Sequence, residues 1–117
     1  MILGFNEEFI PAIVAGSKIH TIRAGHRWQA GTVAQFCARA QQPDCYEFWP
    51  PRPICLVQEL ELTATELLVD GRRLSPDELL ALAQADGFAT AAELRAFFAN
   101  QPLPFRGQLV HWTACRY

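Results

Sequence analysis

The sequence has little net charge, although a small nucleic-acid-binding domain usually has a clear excess of one sign. Its 117 residues carry 10 basic and 12 acidic side chains, which gives a net charge of −2 and a pI of about 5.9. A protein that clamps a long duplex is usually basic, because its affinity comes mainly from neutralised phosphates. A long duplex is therefore not the expected partner.

Metal-binding and disulfide patterns are also missing. The cysteines form no C-x-x-C pair and the three histidines complete no zinc spacing. We therefore expect four reduced, mostly buried thiols, with no metal and no cofactor. We find no secretory signal and no apolar run of about 18 residues, so we expect a cytoplasmic protein that does not span a membrane. The length suits one domain with one core.

The densest group of candidate site residues lies between Gly16 and Gly31. The segment contains no acidic residue, and apolar residues interrupt its polar ones. Residues 1–40 carry four basic and two acidic side chains, whereas residues 55–93 carry eight acidic and two basic ones. A local positive cleft on an acidic body suits a small polar or anionic ligand, or a short single strand. The candidates are Lys18, His20, Thr21, Arg23, His26, Arg27 and Trp28.

Alternation along a strand decides which of these side chains can meet. If residues 18–23 form a strand, Thr21 and Arg23 share one face, and Lys18 and His20 share the other. Lys18 and Thr21 converge only if the chain bends near Lys18, which the preceding Gly-Ser pair permits. The alternative is an ordinary strand whose charges point into water.

Periodicity and capping residues predict the other elements. Strands are expected at 2–5, 32–40, 54–63, 65–69 and 107–117. A first helix should start at Asn6 and end at Gly16, and capping boxes at Ser75 and Thr90 should begin two more. This order predicts an α+β domain with a mainly antiparallel, closed sheet.

A proline-rich segment at 41–53 is expected to be a packed loop, since its four prolines disfavour regular strand pairing. Its aromatic residues, which include Trp49, could form one wall of a base-stacking pocket or could simply fill the core. Trp28 could likewise plug one end of the barrel, and His111 beside Trp112 is expected to be a hydrogen-bonded core histidine. Arg72 and Arg73 are expected at a solvated turn.

The motif G-x-K-x-x-T-I-R at Gly16–Arg23, followed by Arg27-Trp28 and Gly31, resembles the ASCH domain of the PUA-like superfamily. The element Asp86-Gly87-Phe88 and the ending at 107–117 resemble a small bacterial and phage subgroup, so that the likeness covers nearly the whole chain. The resemblance implies a single domain, a small, mainly antiparallel β-barrel flanked by about three helices. It also implies a cleft between barrel and helices and RNA-related ligands.

Some small ASCH proteins are amidohydrolases that remove the acetyl group of N4-acetylcytidine with a lysine, a threonine and a glutamate. The resemblance places these roles on Lys18, Thr21 and Asp86, although aspartate is one methylene shorter than the glutamate. Three functions stay open. The pocket could bind RNA or a nucleoside, could hydrolyse such an amide, or could cleave single-stranded RNA. The residues assigned to ligand binding are His20, Arg23, His26, Arg27 and Trp28, with either histidine as the base for cleavage.

Overall fold

The computed structural model describes all residues from Met1 to Tyr117 and has an α+β architecture. The strands are β1 (Ile2–Phe5), β2 (His20–Ala24), β3 (Val33–Ala38), β4 (Tyr46–Pro53), β5 (Leu56–Leu62), β6 (Leu67–Val69), β7 (Arg72–Arg73) and β8 (Phe105–His111). The helices are α1 (Ile10–Ala15), α2 (Pro76–Ala85) and α3 (Ala91–Phe97), and a 3₁₀ turn (Glu7–Phe9) precedes α1. None of the helices has the length and apolar character needed to cross a membrane.

The strands form two sheets instead of the closed barrel that we expected. The first sheet has the order β1-β3-β4, with β1 parallel to β3 and β4 antiparallel to it. The second has the order β2-β8-β5-β6-β7, and all its neighbours are antiparallel. The mainly antiparallel pairing was thus correctly predicted, whereas closure of the strands by a continuous hydrogen-bond ladder was not.

The two sheets are connected at two places. At one, the chain passes from β4 to β5 through Ile54 and Cys55, whose backbone amides donate to the carbonyl oxygens of Thr32 and His111. At the other, the guanidinium of Arg23 on β2 donates to the carbonyl of Gly4 on β1. A side chain therefore makes the contact that a backbone ladder would make in a closed sheet.

Strand β4 corrects the prediction of a loop at 41–53. It pairs only with β3 and lies at the edge of its sheet, where prolines are tolerated because their missing N–H groups are not needed for pairing. The register shifts on both sides of Phe36, which pairs with Trp49. The two rings meet edge to face, with centroids 5.1 Å apart, so Trp49 packs against the core and is absent from the pocket described below.

The helix ends agree with the sequence at most positions. Gly16 ends α1 in the left-handed conformation with φ of 88°, and Ser75 forms the complete capping box with Glu78. Asn6 stands at the start of a 3₁₀ turn that precedes α1, and its side chain makes no cap there. At α3 the Thr90 hydroxyl accepts from the Glu93 amide, but the Glu93 carboxylate accepts from Ala89, so the second capping box is incomplete.

Two apolar clusters form the core. One packs the five-stranded sheet against α2 and α3, with Leu82 and Leu94 fully buried. The other fills the space beneath the three-stranded sheet, and it includes Trp28 and Phe36. Burial of each such side chain contributes about 1.5–3 kcal/mol to folding.

The thiols and the chain end differ from expectation. Cys37 is buried, but Cys45 and Cys55 are exposed and Cys115 is half-buried, so the thiols are not mostly buried. Strand β8 ends at His111 instead of continuing to Tyr117. Residues Arg72 and Arg73 are solvated as expected, but they form the short edge strand β7.

Candidate functional site

Four of the candidate residues, from two distant segments of the chain, line one pocket. Lys18, Thr21 and Arg23 reach it from the segment around β2, and Asp86 reaches it from the end of α2. The pocket has a volume of about 100 Å³ and opens to solvent. A space of this size holds several water molecules or one small ring, but no folded polymer.

Lys18, the only lysine of the chain, is placed by the turn after α1. The backbone amides of Ser17 and Lys18 both donate to Ala12, and the amide of Ile19 donates to Ala85 at the end of α2. These bonds produce the bend that allows Lys18 and Thr21 to meet in one pocket. The lysine side chain is only 2% exposed, and its ammonium lies 4.9 Å from the centre of the Phe9 ring.

The surroundings of the Lys18 ammonium act on its charge in opposite directions. Nζ donates to the carbonyl oxygens of His20, at 2.9 Å, and of Asp86, and it lies 3.6 Å from Asp86 Oδ1. Burial lowers the pKa of Lys18 from 10.5 to about 8, because desolvation and the nearby Arg23 outweigh the attraction of Asp86. A lysine of this kind exchanges its proton close to neutral pH.

Arg23 connects Thr21 to the neighbouring strand. Nη1 donates to Thr21 Oγ1 and to the carbonyl of Ile22, both at 3.1 Å, and Nη2 donates to Gly4. Desolvation lowers the pKa of Arg23, Asp86 opposes the shift, and Arg27 adds to it. Because the Thr21 oxygen accepts from a cation, its own O–H remains free to donate to a ligand or a base.

Asp86 is the carboxylate of the pocket and is 3% exposed. It follows α2 directly, and the next residue, Gly87, has φ of +99°, a conformation that favours glycine. A Cβ atom built on Gly87 would lie 3.0 Å from the Phe9 ring and 3.2 Å from Lys18 Cδ. The glycine thus allows the chain to turn beside the pocket without displacing its walls.

His20 lies behind the pocket and does not line it, contrary to the predicted contact with a ligand. It is fully buried, with Nδ1 2.7 Å from Asp86 Oδ1 and Nε2 2.7 Å from the phenol oxygen of Tyr117. Its imidazole therefore contacts the site through Asp86, while its backbone carbonyl accepts from Lys18 Nζ. The role of Tyr117 was missed, since nothing in the sequence connects residues 20 and 117.

The remaining predicted ligand contacts lie elsewhere. His26 is largely exposed, and its Nδ1 lies 2.9 Å from the carboxylate of Glu59. Arg27 is exposed and lies 6.0 Å from the Trp28 ring. Trp28 belongs to the core and is only 2% exposed, so it cannot stack on a base. Its indole N–H has no hydrogen-bond partner. None of the three lines the pocket, because the turn after β2 carries them away from it.

An aromatic wall was missed by the sequence reasoning. Phenylalanines from four segments line the pocket, and the Phe9 ring packs edge to face on Phe88 and Phe97 at 5.8 and 6.0 Å. Apolar residues at helical spacing are expected to face the core, and such periodicity cannot tell a core face from a pocket wall. The wall consists of Phe5, Phe9, Phe88, Phe97 and Phe98, and Asn6 is also at the pocket.

His111 differs in part from the expected hydrogen-bonded core histidine. Nε2 lies 3.0 Å from Gln58 Oε1, but Nδ1 is buried without a partner. Burial, together with the neighbouring His20, lowers the pKa of His111 to about 4, so the ring is neutral at physiological pH. It belongs to the support behind the pocket.

The pocket combines a proton-exchanging amine, a hydroxyl, a guanidinium and a carboxylate within aromatic walls. Such a set can recognise the polar edge of a planar ring and can also polarise a carbonyl group. No three histidine, cysteine or acidic side chains stand close enough together to ligate a metal. No family model, no curated protein and no solved structure matches the chain.

Proposed function

We propose that this chain is an ASCH-type protein of the PUA-like class, whose pocket binds the base of a modified nucleoside or an unpaired base of RNA. The observation that carries the proposal is the convergence of Lys18, Thr21, Arg23 and Asp86 on one pocket with phenylalanine walls. A nucleobase presents an apolar face and a polar edge, and such a pocket offers partners to both.

Two features of the sheets support the PUA-like part of the proposal. The chain runs from the three-stranded sheet directly into the five-stranded one through Ile54 and Cys55. On the other side, Arg23 bridges β2 to Gly4 of β1. The two sheets are thus joined through the backbone on one side and through a side chain on the other, which supports a PUA-like arrangement without a closed ladder.

Pairing of the surface charges favours a small ligand over a long strand. Arg39 is paired with Glu7 and Asp44, and Arg106 is paired with Glu61. Cations that already contact carboxylates attract phosphates weakly, so these two arginines would contribute little to binding a nucleic-acid backbone. Recognition would therefore depend on the pocket.

A titration with N4-acetylcytidine, cytidine and a short single-stranded RNA tests the proposal. We expect Lys18→Met to weaken binding at least about tenfold, as expected when a charged hydrogen bond of more than 1.4 kcal/mol is lost. Arg27→Gln is the matched control, because it also removes one cation but lies outside the pocket. The proposal would be contradicted if none of the three probes binds, or if the two variants lose the same amount of affinity.

A second candidate function is hydrolysis of an N4-acyl amide, and the Lys18 environment favours it specifically. A lysine with a pKa of about 8 beside a carboxylate can take up a proton and return it near neutral pH. In the proposed reaction Thr21 Oγ attacks the acyl carbon, and its proton passes to neutral Lys18. The C–N bond then breaks, and the departing cytosine amine receives that proton. Water hydrolyses the resulting ester to acetate and free Thr21.

Geometry restricts this reaction in one respect. No hydrogen bond joins Lys18 to Thr21, since Lys18 donates to the carbonyls of His20 and Asp86. The proton must therefore move through a bound water or through the ligand itself. Arg23, which donates to Thr21, is placed to stabilise the developing oxyanion, an effect typically worth about 3–4 kcal/mol per donor.

Release of cytidine and acetate from N4-acetylcytidine tests the hydrolysis. Thr21→Val has nearly the same shape without the hydroxyl and should abolish turnover while binding persists, whereas Thr21→Ser should retain turnover. If wild-type protein turns over no member of a panel of N4-acylated cytidines, the hydrolysis is wrong and the binding proposal stands separately. RNA cleavage is not proposed, because His26 is paired with Glu59 outside the pocket and His20 lies behind it.

A further inference from the structure

His20 and Lys18 approach the same oxygen of Asp86, and the histidine is the closer of the two. His20 Nδ1 lies 2.7 Å from Oδ1, whereas Lys18 Nζ lies 3.6 Å from it, which is beyond the length of a hydrogen bond. All three side chains are buried. The carboxylate oxygen is therefore bonded to the imidazole, and the ammonium is bonded to backbone carbonyls.

The far side of His20 is fixed by Tyr117. The phenol oxygen lies 2.7 Å from Nε2, and the Tyr117 backbone is held by Gln58, whose Oε1 and Nε2 bond to its amide and carbonyl at 3.0 and 2.7 Å. The Asp86 carboxylate can only accept, so Nδ1, which lies 2.7 Å away, carries the proton that it donates. With the proton on Nδ1, Nε2 accepts from the Tyr117 phenol, whose pKa is raised by burial.

Three further titratable groups lie near this chain of hydrogen bonds: His111, Arg23, which also interacts with Asp86, and Cys115, which interacts with Tyr117. The His111 ring meets His20 edge to face at 5.1 Å and is neutral, as described above. Arg23 is the second charged group that acts on Lys18, and it lowers the lysine pKa. No other charged side chain contacts the His20 imidazole.

We propose that His20 and Tyr117 are positioning residues, which hold Asp86 Oδ1 away from Lys18. The arrangement keeps the ammonium free of a direct carboxylate bond. It also leaves Asp86 Oδ2, on which no protein hydrogen bond ends, available to a ligand. The consequence for the ligand rests on the proposed function, but the hydrogen-bond chain itself can be tested without any ligand.

The tautomer of His20 gives the first test. Long-range ¹H–¹⁵N spectra of wild-type protein labelled in histidine distinguish a proton on Nδ1 from one on Nε2. We expect His20 to carry its proton on Nδ1 at pH 7, with Nε2 unprotonated. A proton on Nε2 with none on Nδ1 would overturn the proposal, because Nδ1 could then not donate to Asp86, and the carboxylate would not be held as described.

The titration of Lys18 gives the second test, since ¹³Cε-labelled lysine yields one resonance from this chain. In His20→Leu the carboxylate loses its donor and should bond directly to the ammonium, raising the Lys18 midpoint by about one pKa unit. In His20→Asn the side-chain amide can replace Nδ1–H, so the midpoint should stay near the wild-type value. An unchanged midpoint in folded His20→Leu, with Asp86→Asn still shifting it, would overturn the proposal.

If His20→Leu does not fold, Tyr117→Phe provides the test. This variant removes a single oxygen atom and should therefore fold. It should raise the Lys18 midpoint in the same direction by a smaller amount, and no shift would count against the proposal. These measurements also distinguish failure of the proposed function from failure of the positioning roles. If no nucleoside binds wild-type protein, the proposed function is wrong, and the tautomer and the Lys18 midpoint still decide the roles of His20 and Tyr117. If nucleosides do bind, His20→Leu should weaken binding and His20→Asn should restore it.

Discussion

Lys18 Nζ lies 3.6 Å from Asp86 Oδ1, and both side chains are almost completely removed from water. The pair joins the end of α2 to the segment before β2, 68 residues apart in the chain. Removing one partner of a buried pair leaves the other charge uncompensated, which is usually far more destabilising than the net contribution of the pair itself. Protonation of this pair and its contribution to stability can therefore be measured separately from ligand binding.

The Lys18 midpoint should respond in opposite directions to its two charged neighbours. In wild-type protein we expect titration near pH 8, as measured by the single ¹³Cε-lysine resonance. Asp86→Asn removes the negative charge and should lower the midpoint, while Arg23→Gln removes a positive charge and should raise it. A wild-type midpoint near the ordinary value of 10.5 would show that the ammonium is hydrated, which would contradict the burial of Lys18 in the structure.

Stability should depend on pH through the same group. The pKa of Lys18 is lower in the folded chain than in the unfolded chain, so between pH 8 and 10.5 the unfolded chain binds more protons. Stability relative to Lys18→Met should therefore rise with pH across this window, by up to about 3 kcal/mol for a group that is fully desolvated. Urea unfolding of both proteins at several pH values measures the difference, and subtraction removes the shared contributions of cysteines and tyrosines. A difference that falls or stays flat would contradict the lowered pKa.

Gly87 should tolerate alanine worse than Gly71 does. Both have positive φ, of 99° and 79°, so both substitutions strain the backbone by about 1 kcal/mol or more. Only at position 87 does the new Cβ meet neighbours, the Phe9 ring and Lys18, whereas nothing lies within 4 Å of it at position 71. We expect Gly87→Ala to cost about 1 kcal/mol more in thermal or urea unfolding and to shift the Lys18 resonance. Equal losses of stability in the two variants would indicate that the phenylalanine wall moves to make room for the new methyl group.

Salt should separate the two kinds of ligand. Binding of an uncharged nucleoside in the pocket should change little between 50 and 200 mM salt, because no counterions are released. Binding of single-stranded RNA, if the protein contacts phosphates, should weaken steeply over the same range. His26→Gln serves as a control for charge, since its ion pair with Glu59 is exposed and such pairs contribute little. A steep salt dependence for the nucleoside itself would argue against recognition in the pocket.

Local rules predicted those parts of the fold that local contacts determine. Gly16 and Ser75 marked helix ends correctly, because a left-handed cap and a capping box involve only neighbouring residues. The strand at 46–53 was missed because prolines rule out a central strand, and the sequence does not tell which strand lies at an edge. Closure of the barrel was predicted wrongly for a similar reason, since it depends on how β1 and β2 meet.

The site, too, was predicted only where neighbouring residues determine it. The bend after Gly16 brought Lys18 and Thr21 to one pocket, as the Gly-Ser pair allowed. Asp86 was assigned to the site only through the resemblance, and Tyr117 was not assigned to it at all. The two residues are 66 and 97 positions away from His20, and contacts over such distances leave no periodic pattern in the sequence. Trp28 was assigned to ligand stacking as one of two alternatives, and burial in the core decided for the other.

Three of the eight residues of β4 are prolines, at positions 50, 51 and 53. An open edge strand is where one protein molecule can add a strand to another, and that addition needs backbone N–H donors. Since proline has none, the outer border of the three-stranded sheet is a poor template for self-association. We therefore expect molecules of this protein not to associate through this edge, even at the high concentrations used for spectroscopy.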